Sequence, residues 1–145
     1  MHYLLGGILL VISSFSYAQI EAFLLPHSTH VSACSSGCDG GDYNETNQVI
    51  GFRYGRTVAF TMRNSFYERS YFIGRATNWI QTPHITLAGI IGGITGYEHL
   101  PVPSYEGVTP TALIYLDVHP INNKFGFILA AMPTGAISAG IRLTF

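Results

Sequence analysis

Apolar and polar residues alternate along most of this chain. Residues 136–145 read AISAGIRLTF, with Ile137, Ala139, Ile141, Leu143 and Phe145 apolar and Ser138, Gly140, Arg142 and Thr144 between them. Side chains of a strand point alternately to opposite faces, so this stretch predicts a strand with one greasy face and one small or polar face. Residues 46–55 set Ile50, Phe52 and Tyr54 against Val49, Gly51 and Arg53. Residues 57–64 set Val58, Phe60 and Met62 against Thr57, Ala59, Thr61 and Arg63. With Gly55 and Arg56 as a tight turn, these two form the clearest hairpin. Residues 110–119 place Ala112, Ile114, Leu116 and Val118 opposite Leu113, Tyr115 and Asp117. A first strand over 19–27 puts Glu21, Phe23, Leu25 and His27 on one face and Ile20, Ala22 and Leu24 on the other, with Pro26 near an irregular rim. Strands over 70–79, 84–97 and 124–132 bring the number to eight. The fourth has no clear parity, because Phe72 and Ile73 are adjacent, and the parity of the long, glycine-rich fifth also stays open. In a narrow barrel its glycines would admit bulky neighbours or sharp coiling. No helical period of useful length follows residue 18.

The start of the chain differs. Residues 3–12 (YLLGGILLVI) are an apolar run, followed by Ser13, Ser14 and Ser16, and Ser16 and Ala18 are small residues at the positions a signal peptidase reads. This predicts a secretory signal over 1–18, cleaved after Ala18. Its amino-terminal region departs from the pattern in having no Lys or Arg. The run is too short for a spanning helix, and no Cys sits at the cleavage site to suggest a lipoprotein. Residues 19–145 are left as one domain.

An even set of eight strands predicts an all-β fold, an eight-stranded antiparallel up-and-down transmembrane β-barrel. The longer connections, 28–45, 65–69 and 99–109, would then lie outside together with the short 133–135. The connections 55–56, 80–83 and 120–123 would be inner turns. Charged residues make up 10% of the chain and aromatics 13%, with 16 Gly. That is little charge for a water-facing surface and suits an outer band in lipid. The rival is a secreted lipocalin-like calyx, which needs an apolar interior and a polar exterior. The set Arg53, Arg63 and Arg142, opposite consistently greasy faces, favours the membrane barrel. A formal net charge of −1 argues against a nucleic-acid partner.

The closing strand, its terminal Phe145 and the loop layout resemble bacterial outer-membrane β-barrels. The resemblance implies residence in the outer membrane of a Gram-negative bacterium, against outer-membrane lipid and lipopolysaccharide. It also implies that the barrel-assembly machinery reads Phe145. The stretches YNETNQVIGFRYG, RNSFYERSYFIG and GIIGGITGY resemble short exported barrels of phages and mobile elements, over about half of the mature chain. That likeness implies fold and location and no particular activity; a phage-borne barrel would suit alteration of the host surface. The layout is also similar to barrels that deacylate or acylate lipid A. Their catalytic motifs are absent, and the closing strand lacks the His-x-Ser arrangement of the deacylases.

An eight-stranded barrel is filled by its own side chains, so neither a diffusion channel nor a buried redox cofactor is expected. Polar residues collect where the outer rim should be: His27, Ser28 and His30, then Asn44, Glu45 and Asn47, then Arg63, Asn64 and Ser65, then Tyr97, Glu98 and His99. Among these, His27, Ser28, Ser65, Glu98 and His99 are candidates for a nucleophile, its base and an orienting carboxylate. Ser and His are common in exposed loops, so a hydrogen-bonded rim is favoured over an enzyme. Tyr54, Trp79 and Phe145 should form an inner aromatic girdle and Tyr67, Tyr71 and Tyr97 an outer one, although Tyr71 reads equally well as a core aromatic. His84 and His119 should be interfacial or solvated. Glu21, Arg53 and Arg142 fall near the same end of strands one, two and eight. They should meet inside the barrel, with Glu21 bridging one or both arginines and fixing the seam register.

Cys34 and Cys38 bracket Ser-Ser-Gly. In an exported chain that spacing predicts a small disulfide-closed loop; two thiols with no third ligand nearby do not complete a metal shell. The loop is short, so its entropic contribution is modest. Thiol labelling of the unreduced, denatured protein should fail at both positions, and Cys34→Ser should leave assembly intact. Ready labelling of both would remove the disulfide.

Overall fold

The computed structural model describes residues 19–30, 43–98, 102–120, 124–133 and 135–145. The expected signal segment, the Cys34–Cys38 pair and His99 lie outside the described residues. Eight strands follow in order: β1 Ile20–His30, β2 Val49–Tyr54, β3 Thr57–Arg63, β4 Arg69–Gln81, β5 Ile85–Thr95, β6 Val108–Val118, β7 Phe125–Ala131 and β8 Ala136–Thr144. Each pairs antiparallel with the next, and β8 returns to β1, closing the barrel. The closed sheet has two ends, one carrying Ile20 and Phe145 (the terminal end) and one carrying His30 and the 64–68 connection (the loop end).

The seam between β1 and β8 is irregular. Leu24 lies opposite Ile141 and His27 opposite Ala139, so Leu25 and Pro26 together face Gly140. This is a β-bulge, one extra residue on one strand, and it suits Pro26, which has no N–H to give the ladder. Gly140 is required there: a Cβ would collide with the Leu24 carbonyl oxygen and approach the Leu25 Cα to 2.7 Å. The bulge also changes the phase of β1. Glu21, Phe23 and Leu25 face inward as expected, but beyond the bulge Ser28 and His30 take the inner positions and His27 is exposed on the outer wall. The expected face therefore fails at His27.

The outer wall is apolar, with Ile50, Phe52, Ile73, Ile91, Ile114, Phe127, Leu129, Ile141 and Leu143 all exposed. Inside, the side chains form three layers. Ser28, Asn47, Asn64 and Ser70 are buried at the loop end; Leu25, Val58, Met62, Phe72, Ile90, Leu113 and Ile128 fill the middle; Asp117, His119 and Arg142 lie at the terminal end. A polar interior throughout is thus not what the chain builds. In β3 the apolar Val58, Phe60 and Met62 turn inward, while Thr57, Ala59, Thr61 and Arg63 face out. The reason is steric and electrostatic. A barrel this narrow is packed by its own side chains, and apolar groups fill a dry layer without needing hydrogen-bond partners. In β4, Phe72, Gly74 and Ala76 point inward and Tyr71, Ile73 and Arg75 outward. The Phe72 ring stacks on Phe60 with centroids 4.5 Å apart. It occupies the space that a Cβ at Gly74 or Gly92 would take, so glycines of β4 and β5 do admit a bulky neighbour.

The strand pairs are unequal in length. β7 pairs with β6 only over Ile114–Val118, so residues 108–113 of β6 run on past the end of β7. Pro110 lies in this stretch, which has no β7 partner among the described residues.

Gly140→Val should block seam closure. The variant should migrate as an unfolded species in an unheated SDS gel, whereas Ala139→Val, on the outward face of the same strand, should migrate as wild type. Normal folding of the Gly140 variant would contradict the bulge geometry.

Candidate functional site

The loop end is built around Asn64. Its side chain is fully buried and uses both ends. The Oδ1 accepts from the backbone N–H groups of Phe66 and Glu68, each at 2.9 Å, and the Nδ2 donates to the Gly96 carbonyl at 2.9 Å and to Ser70 Oγ at 3.1 Å. An Asn that captures amides two and four residues ahead substitutes for backbone turn bonds, so the 64–68 connection is tightly folded. A second asparagine holds it from the other side. The Asn44 backbone N–H donates to the Ser65 carbonyl at 3.0 Å, and Asn44 Nδ2 donates to the Asn64 carbonyl at 3.0 Å. Ser65 is therefore fixed through its main chain.

The Ser65 hydroxyl lies 2.8 Å from His30 Nε2. The His30 ring stacks on Tyr43 at a centroid distance of 4.1 Å and 16° between planes. His30 Nδ1 is buried and has no hydrogen-bond partner among the described residues. Tyr97 stands beside Ser65 at the same cavity, and burial pushes its hydroxyl up to about 12, so it stays protonated at neutral pH. Ser28 donates to Asn47 Oδ1, and Asn47 Nδ2 donates to the Arg63 carbonyl at 2.9 Å. Beneath this layer is a cavity of about 70 Å³. Phe23, Leu25, Val49, Phe60 and Met62 wall it, and Ser65 and Tyr97 stand at its polar end.

The rim candidates separate accordingly. Ser28 and Ser65 are both at the loop end, facing inward, but the imidazole brought to Ser65 is that of His30, while His27 is on the outer wall. Glu98 is exposed with its carboxylate against Gly107, so it does not serve this pair. Tyr97 belongs to the interior and not to an outer girdle; it is buried, edge-on to Phe66 at 6.0 Å. His30 was visible in the sequence as a rim residue. Its role depends on the bulge at Leu25 and Pro26, which a strict period of two does not reveal. A serine hydroxyl held against an imidazole nitrogen can supply a nucleophile and its base.

The terminal end holds the charges. Arg142 Nε donates to Asp117 Oδ2 at 2.6 Å, with both side chains 3% exposed. His119 Nδ1 lies 3.5 Å from the same oxygen and is buried, so it is not the solvated residue expected from its place beside a turn. Glu21 faces inward opposite Arg53 in the β1–β2 register, within electrostatic range of Arg53 and Arg142. Arg53 donates to the Gly55 carbonyl at 2.8 Å and to Asn78 Oδ1 at 3.0 Å. The expected cluster shares this end, but the close partner of Arg142 is Asp117 of β6, not Glu21. Gly126 explains the choice. It stands on β7 between the two strands, and a Cβ there would strike Asp117 Oδ1 and come within 2.9 Å of Arg142 Nη2, so the pair closes across a missing side chain. Among the described residues, no three His, Cys, Asp or Glu side chains gather where a metal ion could be held.

No protein-family model matches this chain, and no curated protein matches it.

Asp117→Leu should remove the buried ionic contact between Asp117 and the Arg142 guanidinium, at a cost of about 3–5 kcal/mol. Combining it with Arg142→Met should recover most of that loss. Urea midpoints of the protein refolded in detergent micelles measure both. A single variant as stable as wild type would show that the pair does not hold the terminal end.

Proposed function

We propose that this chain is a surface-exposed, non-conducting β-barrel of the outer membrane of a Gram-negative bacterium. The observation that carries the reading is the apolar outer wall, which exposes Ile, Leu and Phe side chains on strand after strand of a closed sheet. In water such a surface would be far larger than the apolar patches a monomer tolerates. In lipid it is solvated, and pairing of the last strand with the first removes the open sheet edge along that seam. Tyr54, Trp79 and Phe145 toward the terminal end, with Tyr67 and Tyr71 at the loop end, are exposed as interfacial aromatics would be. Arg63 and Arg69 face out at the loop end, and Arg75 faces out opposite Thr57, beside the 55–56 turn. The interior supports a closed pore, since an apolar layer packs the middle and the Asp117–Arg142 pair fills the terminal end.

On this reading residues 1–18 direct export, the wall meets outer-membrane lipid and lipopolysaccharide, and the assembly machinery engages the closing strand through Phe145. The likeness of the middle of the chain to phage-borne barrels supports a role in altering the host surface.

Cell fractionation tests the proposal. The wild type should enter the outer-membrane fraction with heat-modifiable migration and should give no steady conductance in planar bilayers. Ile141→Arg places a charge on the lipid face, costing about 2–4 kcal/mol near the midplane, and should sharply lower the assembled fraction, as should removal of Phe145. Recovery of the wild type as a soluble periplasmic protein would overturn the reading.

A further inference from the structure

We infer that Ser65 and His30 form a nucleophile–base pair that cleaves acyl esters of membrane lipids, with the carbonyl end of the acyl chain at the apolar cavity beneath them. Four observations carry this. The hydroxyl and the imidazole Nε2 are 2.8 Å apart, within the range for proton transfer from a nucleophile to its base. Both are held: Ser65 by the Asn44 and Asn64 bonds, and His30 by stacking on Tyr43, which orients the ring in place of a carboxylate. Ser65 and Tyr97 stand at the polar end of a cavity whose remaining wall is largely apolar, as a carbonyl attached to a hydrocarbon chain requires. Finally, an apolar groove of about 530 Å³ on the outer wall, running past Trp79, Ile91 and Ile114, shares Ile90, Leu113 and Met132 with that cavity. The wall between groove and cavity is therefore itself apolar there.

The chemistry closes on water as co-reactant. Ser65 Oγ attacks the ester carbonyl carbon while its proton passes to His30 Nε2, and the carbonyl oxygen becomes an oxyanion. The protonated Tyr97 hydroxyl is placed to donate to it. Collapse of the intermediate breaks the bond to the alcohol oxygen, which leaves with the proton from His30, and the acyl group stays on Ser65. Water then adds to the acyl carbon and gives its proton to His30. The second collapse releases the fatty acid and returns that proton to Ser65. One ester and one water become one fatty acid and one alcohol.

The choice of a lipid substrate rests on the outer-membrane reading; the reactivity of the pair does not. The test uses the full-length protein purified in detergent micelles. A fluorophosphonate probe should label the folded wild type at Ser65. Fatty acid release is followed in two arms, from lipopolysaccharide and from dipalmitoyl phosphatidylethanolamine vesicles, and the productive arm identifies the source of the ester. Ser65→Ala and His30→Asn should each lower release by about 100-fold or more with heat-modifiable migration unchanged. Tyr97→Phe should lower it while leaving probe labelling in place. A folded wild type that is neither labelled nor active in either arm overturns the inference and leaves the membrane reading standing, as does full release by Ser65→Ala. Labelling of a protein that fractionates outside the membrane would overturn the lipid substrate and the location while retaining the pair.

Discussion

Backbone groups at the edge of a sheet need partners, and here β1 and β8 supply them to each other. Closure at eight strands sets a radius at which side chains alone fill the interior, and the remaining arrangement follows from that space. Large rings fit only where glycines of the wall yield room, as Gly74 and Gly92 do for Phe72. Buried polar groups are favoured where they find partners. They are therefore gathered at the two ends, where the backbone of turns and connections offers donors and acceptors, and the middle is left to Val, Leu, Ile, Met and Phe.

The two polar ends are built on different principles. At the loop end neutral asparagines bond mainly to main chain, and Asn64 alone links the 64–68 connection to Gly96 and Ser70. Such bonds position the backbone at little desolvation cost compared with ions. At the terminal end the contacts are ionic. A buried ion pair adds little net stability over an apolar filling of the same shape, but it strongly penalises the loss of one partner. The Asp117–Arg142 contact therefore acts chiefly as a register device, since a slip of β8 by one residue would turn the guanidinium to the outside.

The eight strands were legible because their period of two is interrupted by recognisable turns; the 55–56 hairpin and the closing strand fall where alternation puts them. What alternation could not supply was the inner or outer sense of each face. β3 is apolar on its inward face and carries Thr57, Thr61 and Arg63 outward, because the middle of a narrow barrel is as dry as its wall is greasy. The charge partner of Arg142 was hidden for a related reason. Asp117 lies two strands away, and only the absent side chain of Gly126 brings it within reach. His27 was assigned to the inner face, which His30 takes instead, since the phase of β1 shifts at Leu25 and Pro26.

That shift has a meaning for the length of the chain. With two residues of β1 set against one of β8, the first strand carries one residue more than its ladder needs. A version of the chain without Pro26 would restore unbroken alternation, Leu25 inward, His27 outward and Ser28 inward, and His30 would arrive at the same inner position. The bulge is in this sense the place where the seam absorbs an insertion. At position 26 a gap in a related chain would be structurally silent. One residue gained or lost between Ser28 and His30 would turn the imidazole to the outer wall, so the length of that span of three positions is fixed by geometry.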